Sequence, residues 1–217
     1  MAEEGLFISF EGIGGSGKSS VCKRVSAMLE SVLPGKFLIT REPGGTPHAE
    51  YLRDLLRGGF PGLKDQQLDP MAVALLFNVA RQDHVAKLIK PAVAEGKLVV
   101  TDRYCDTTFT YQHVYNGIPL EKLRELHDVA IGMYPSITFL MDCPAIVAAE
   151  RVSEGEKSAD MFDSATLHMQ EQMRQTYLKL ARDEPLRYKV IDASRAAEDV
   201  LSEVLNYLRA IITVWKS

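Results

Sequence analysis

Gly12, Ile13, Gly14, Gly15, Ser16, Gly17, Lys18 and Ser19 match the pattern GxxxxGKS at every defined position. These residue types in this spacing bind a polyphosphate. Glycines let successive backbone N–H groups turn inward around a β-phosphate, and the head of the following helix adds about half a positive charge. The Lys18 ammonium reaches the β- and γ-phosphates, the Ser19 hydroxyl is a candidate ligand for Mg²⁺, and Ser20 carries the loop into the helix. ATP and Mg²⁺ are the expected cofactors. The alternative is a glycine-rich turn that matches by accident; the strand-like run before the loop and the helix-like run after it weigh against that.

Asp102-Arg103-Tyr104 is the second chemical feature. It ends a buried strand-like run, where open α/β sheets place their ligands. Asp102 is therefore a candidate to hold Mg²⁺ through water, and Arg103 to neutralise an acceptor phosphate. No NKxD-type guanine-reading segment follows a later strand, which favours a small-molecule kinase over a GTPase. The five histidines show no HxxxH or Cys/His ligand spacing, so no zinc site is expected.

The elements that must position these groups are visible as a pattern. Short apolar runs at 6–10, 37–40, 98–101, 137–141 and 188–191 alternate with helix-length segments at 18–33, 49–56, 70–95, 120–133, 145–154, 164–181 and 196–212. That alternation predicts an α/β fold of three layers around a parallel sheet. The runs lack clean alternation, as strands covered on both faces do. Gly and Pro punctuate loops at 42–47 and 58–62. The apolar helix at 196–212 is expected to pack on the sheet.

With 217 residues, 46% hydrophobic and 25% charged, the chain is expected to form one domain over 1–217 that buries a sizeable core. A net charge of −4 gives no broad attraction to nucleic acid or an anionic membrane, so phosphate binding must be local and the partners small. Three scattered cysteines without CxxC spacing fit packing roles in a reducing compartment. The acidic first residues and short first apolar run fit neither export nor membrane spanning, which points to the cytoplasm.

Taken together these motifs resemble the bacterial branch of the thymidylate kinase family, over nearly the whole chain. The likeness is carried by Phe10-Glu11-Gly12 leading into the phosphate loop and by Thr40-Arg41-Glu42-Pro43-Gly44-Gly45-Thr46. It continues in Leu75-Leu76-Phe77 with Arg81 and His84, and in Asp102-Arg103-Tyr104 running on to Tyr111-Gln112. The resemblance implies a P-loop NTPase fold with sheet order 2-3-1-4-5, a small lid at about 150–163 and a homodimer. It implies in-line transfer of the γ-phosphoryl group of ATP to dTMP in dTTP synthesis, with no covalent enzyme intermediate. By the same carry-over Phe77 stacks on thymine, Arg81 hydrogen-bonds the base, and Thr108 and Gln112 meet the base edge. Tyr111 packs near the sugar, Arg53 and Arg103 clamp the dTMP phosphate, Arg41 is a weaker candidate for it, and Glu42 sits beside the acceptor. Read without the family, Phe77 is a core aromatic and each arginine a surface ion pair.

The chain departs from the family pattern in two places. Gly14 stands where most relatives carry an acid near the dTMP sugar, and Gly15 supplies no arginine to the phosphate loop. In the bacterial branch the lid supplies arginines instead, yet here 150–163 contains only Arg151 and Lys157 as basic residues, with Met161 where an arginine is expected. Either Arg151 or Lys157 stands in for the missing arginine, or turnover is slow; Arg151 joins Lys18, Asp102 and Arg103 as a catalytic candidate. Two further readings stay open: another nucleoside or nucleotide kinase of the same fold, and a catalytically impaired nucleotide-binding module.

Overall fold

The computed structural model describes residues 5–58, 68–154 and 165–216. Strands β1 (Leu6–Glu11), β2 (Phe37–Arg41), β3 (Leu98–Asp102), β4 (Ile137–Asp142) and β5 (Tyr188–Asp192) form one parallel sheet in the order β2-β3-β1-β4-β5. The register aligns their carboxyl ends: Phe10 and Arg41 both pair with Asp102, Glu11 pairs with Leu140, and Asp142 with Asp192. β1 lies where the connections change direction, so the loop leaving it opens into the crevice that α/β sheets use for ligands. β1, β3 and β4 are buried almost throughout, whereas the edge strands β2 and β5 are only partly covered, a correction to the expectation that every strand is covered on both faces.

Helices α1 (Lys18–Val32), α2 (Pro47–Gly58), α3 (Pro70–His84), α4 (Lys90–Ala94), α5 (Cys105–Asn116), α6 (Leu120–Ala130), α7 (Ala145–Ser153), α8 (Leu167–Asp183) and α9 (Ala197–Trp215) flank the sheet. The segment expected as one helix over 70–95 is interrupted by a π turn, Val85–Ile89, between α3 and α4. Pro91 has no N–H and its ring crowds the preceding turn; the wider turn, with the Lys90 N–H donating to the Val85 carbonyl, takes up that space. α2 begins at Pro47, earlier than expected, because Thr46 caps it by accepting from the Ala49 N–H at 3.2 Å and proline suits a first helical position. α9 buries Val200, Leu201, Val204, Leu208 and Ile212, the packing role expected of it. The loop at 58–62 and the lid at 150–163 fall largely outside the described residues, with Lys157 and Met161. Among the described residues no helix is long and apolar enough to cross a membrane.

α5 has no counterpart in the expected helices, and it carries Thr108, Tyr111 and Gln112. Cys105 to Gln112 are all buried, so the helix shows no polar face, and its Thr, Phe and Tyr content is poor in helix formers. It is anchored from behind. Asp106, fully buried, accepts from Arg187 Nη1 at 2.7 Å and Nη2 at 3.0 Å, and the same guanidinium lies over the Tyr188 ring, 4.3 Å from its centroid. A bidentate pair removed from water in this way leaves a bare buried charge if one partner goes. Arg187→Met is therefore expected to lower unfolding free energy by about 3–5 kcal/mol, read from urea denaturation, and an unchanged midpoint would refute the anchor.

Candidate active site

The phosphate loop connects β1 to α1, with Gly17 in the left-handed region at φ 85 as the N-cap. Lys18 is 5% exposed and its Nζ donates to the Ile13 carbonyl at 2.7 Å and to Ser16 Oγ at 3.2 Å, so the ammonium arches over the loop it serves. Gly15 has φ 76, and a Cβ there would run into the Ala148 carbonyl of α7. The loop thus lies directly against α7, and no arginine fits at position 15 without displacing that helix.

At the neighbouring strand end, the Ser19 hydroxyl donates to Asp102 Oδ2 at 2.6 Å, which brings the two expected Mg²⁺ ligands into contact. Asp102 Oδ1 is buried without a protein partner, an acceptor position that a metal-bound water would fill. Among the described residues no group of three or more His, Cys, Asp or Glu side chains could hold a metal ion. A hydroxyl and a carboxylate in contact are hard oxygen donors that would fit a hydrated Mg²⁺.

Arg103 follows with φ 70, a left-handed conformation that costs a non-glycine residue about 1–3 kcal/mol. Its backbone N–H donates to the Phe10 carbonyl at 2.9 Å, and its Nη1 donates to the Gly12 carbonyl and to Thr107 Oγ1, each at 3.2 Å. The guanidinium lies over the Tyr111 ring, 5.3 Å from the centroid. The expected phosphate clamp and the expected sugar-side tyrosine are therefore one stacked unit.

On the opposite wall Arg81 of α3 is 3% exposed. Its Nε donates to Glu42 Oε2 at 2.7 Å and its Nη2 to Thr108 Oγ1 at 2.7 Å and to the Tyr104 carbonyl at 3.3 Å, while Nη1 is buried with no hydrogen-bond partner. Burial alone would raise the Glu42 pKa, but the Arg81 guanidinium and His84 outweigh it and hold the carboxyl below the usual range. His84 Nδ1 lies 3.0 Å from Glu42 Oε1, and its Nε2 exchanges a hydrogen bond with Thr40 Oγ1 at 2.8 Å. Gly45, φ 86, leaves room for that imidazole, which a Cβ would strike. The Glu42-Pro43 peptide is cis.

Phe77 stands one turn before Arg81 and is 4% exposed; Gln112 stands one turn after Thr108, and both ends of its buried amide lack partners. Arg53 of α2 donates to the Pro43 carbonyl at 2.8 Å and so reaches the same loop. Arg41 instead pairs with Glu50 at 2.9 Å on the exposed side, the ion-pair alternative for that residue.

Arg151, the expected catalytic candidate beside the lid, is held by backbone carbonyls. Nη1 donates to the Ala193 carbonyl at 2.7 Å, and Nη2 to the Ser194 and Arg195 carbonyls at 3.3 Å. It braces the turn after β5, beside a cavity of about 270 Å³ that Ser16, Gly17, Ser20, Val200 and Leu201 also line. Size, apolar walls and position next to the phosphate loop suit the nucleoside part of the donor.

Glu11, quoted above only as part of a motif, is fully buried at the end of β1. Oε1 accepts from the Tyr104 N–H at 2.7 Å; Oε2 accepts from the Thr107 hydroxyl at 2.6 Å and the Tyr177 hydroxyl at 3.2 Å. A carboxylate closing an apolar strand was the sequence signal for it, since acids are rarely buried without partners. Burial, reinforced by Asp106, raises its pKa to about 8 against the opposing effects of Thr107, Arg103 and the Tyr104 N–H. A carboxyl with a raised folded-state pKa binds a proton that the unfolded chain has released, so its contribution to stability falls as pH rises from the ordinary carboxylate value toward 8. Urea midpoints measured between pH 5 and about 8 are expected to decline more steeply for this chain than for Glu11→Gln, and equal slopes would refute the assignment.

With this geometry in hand, the comparisons are specific. The family model described as Thymidylate kinase matches residues 10–204. A thymidylate kinase of Dinoroseobacter shibae is 40% identical over 96% of this chain and 98% of its own length, and one of Syntrophotalea carbinolica is 41% identical over 92% and 93%. The crystal structure of a thymidylate kinase from Ehrlichia chaffeensis superimposes with a TM-score of 0.74 at 31% identity, covering 94% of this chain and 98% of that one. The phosphate loop, the Arg81–Glu42 wall and this full-length likeness place the chain in the thymidylate kinase family.

Proposed function

We propose that the protein transfers the γ-phosphoryl group of ATP to a phosphate oxygen of dTMP, giving dTDP and ADP. The observation that carries this is the acceptor wall. Arg81 Nη1 and the Gln112 amide are buried polar groups without protein partners, and Phe77, also buried, stands one helical turn before Arg81. Such groups are expensive to leave unmet, and a base edge offering carbonyl oxygens and a ring N–H satisfies them. A guanidinium donor selects a carbonyl where cytosine has an amino group.

Catalysis on this reading is positioning and charge neutralisation. The backbone amides of Gly14 to Ser19 cradle the donor phosphates, Lys18 moves from the Ile13 carbonyl to the β- and γ-oxygens, and Arg103 with Arg53 holds the acceptor phosphate in line. Tyr111, stacked under Arg103, limits room beside the sugar at the position of a ribose 2′-hydroxyl. Ser19 and Asp102 would hold Mg²⁺, which would supply charge neutralisation at the donor phosphates when bound. The loop braced by Arg151 seats the adenosine.

A homodimer belongs to the proposal, since Leu75 and Val79 are 46% and 54% exposed one turn apart on α3. So does a cytoplasmic location, in keeping with three buried unpaired thiols, Cys22, Cys105 and Cys143.

Coupled assays with ATP and Mg²⁺ are expected to give kcat/KM for dTMP about 10-fold above dUMP, which lacks the methyl group, and more than about 100-fold above dCMP. ATP binding with no product from any acceptor would sink the proposal in favour of a non-catalytic module. Arg151→Ala is expected to raise KM for ATP by about 10-fold with a smaller change in kcat, as loss of a brace does. A large fall in kcat at unchanged KM would instead return Arg151 to a catalytic role.

A further inference from the structure

Glu11 takes no part in the mechanism above, yet it is the point where three segments of the site meet. It ends β1 one residue before the phosphate loop. Its oxygens accept from the Tyr104 N–H at the head of α5, from Thr107 within α5, and from Tyr177 of α8, the helix that follows the segment expected as a lid. Thr107 Oγ1 is the link: it lies 2.6 Å from Glu11 Oε2 and 3.2 Å from Arg103 Nη1. A guanidinium only donates, whereas a hydroxyl both donates one proton and accepts. The Thr107 hydroxyl therefore offers a lone pair to Arg103 and directs its own proton away from it, along the short 2.6 Å contact to Glu11 Oε2, with the Tyr177 hydroxyl 2.9 Å from Thr107 Oγ1. The same Arg103 nitrogen donates to the carbonyl of Gly12 in the phosphate loop.

We propose that Glu11 is a positioning residue: acting through the Thr107 hydroxyl, it orients Arg103 against the Gly12 carbonyl and so registers the acceptor-phosphate arginine on the donor-phosphate loop. The proposal rests on the reading of Arg103 as an acceptor clamp. It explains why an acid stands in the fully buried end of a central strand, where an apolar residue would pack without desolvation cost. The charged and titratable groups around it are Asp106 and Cys105 of α5, Arg103, Tyr177 of α8 and Tyr188 of β5. Of these, Arg103 is the cation that faces both Glu11 and the phosphate loop. Gln at position 11 keeps an acceptor for the Tyr104 N–H but presents an N–H₂ group where Thr107 now donates, which reverses the hydroxyl and turns its proton toward Arg103.

The test is a set of full-length variants assayed for KM of dTMP, kcat and the equilibrium affinity for ATP. Glu11→Gln and Thr107→Val are each expected to raise KM for dTMP about 10-fold while ATP affinity stays within about two-fold. In a double-mutant cycle Glu11→Gln is expected to add little to Arg103→Ala, because the first acts through the second. If Glu11→Gln does not fold, Thr107→Val, which keeps shape and removes only the hydroxyl, carries the test. Unchanged KM for dTMP in both variants, parallel loss of ATP affinity, or additivity with Arg103→Ala would overturn the proposal. The underlying reading fails separately, if Arg103→Ala alone leaves KM for dTMP unchanged.

Discussion

A guanidinium stays in a protein interior only where a carboxylate and further acceptors meet it, and the site is built around one that does. Arg81 is almost completely removed from water, held by Glu42, Thr108 and the Tyr104 carbonyl. Those partners come from the turn after β2 and the start of α5, so one side chain of α3 ties three segments together. The pairing also constrains the loop after β2: His84 completes the coordination of Glu42, and Gly45 must lack a side chain for His84 to fit. Nη1 alone of its nitrogens remains without a hydrogen-bond partner.

A second constraint comes from the sheet. Parallel strands in register end at one edge, and the residues at those ends are drawn together whatever their separation along the chain. Phe10 and Arg41 both pair with Asp102, so the strand that leads into the phosphate loop, the loop after β2 and the Asp102 carboxylate share one edge. Donor and acceptor machinery thus meet through backbone geometry, with Ser19 bonded to Asp102 and Arg103 bonded to Gly12 across the seam. Buried polar contacts behind that edge, Asp106 with Arg187 and Glu11 with Tyr104, Thr107 and Tyr177, anchor α5.

How legible this was depended on whether a signal was local. The strands could be read because each is a short apolar run bounded by turn residues, and the phosphate loop because glycines, lysine and serine act within one loop. α5 could not, since a helix buried from Cys105 to Gln112 presents no polar stripe, and its β-branched and aromatic residues argue for a strand. Arg151 was assigned from the scarcity of basic residues in its neighbourhood; the carbonyls that capture it belong to residues 193–195, a partnership that no local pattern encodes. Arg41 and Arg53 look alike as arginines, yet Arg41 turns outward to Glu50 while Arg53 turns to Pro43.

From the residues alone came the strands, most of the helices and the phosphate-loop motif, and, through resemblance, the family. These follow from periodicity, glycine conformational freedom and motif order, all written within short stretches of chain. The tertiary structure alone decided which groups the arginines pair with, that α5 is a helix, and that Glu11 joins the end of β1 to α5 and α8. The physical reason is that a charged side chain's role is set by what desolvates and pairs with it, and in this fold those partners lie tens of residues away along the chain, brought together only when the strands take their register.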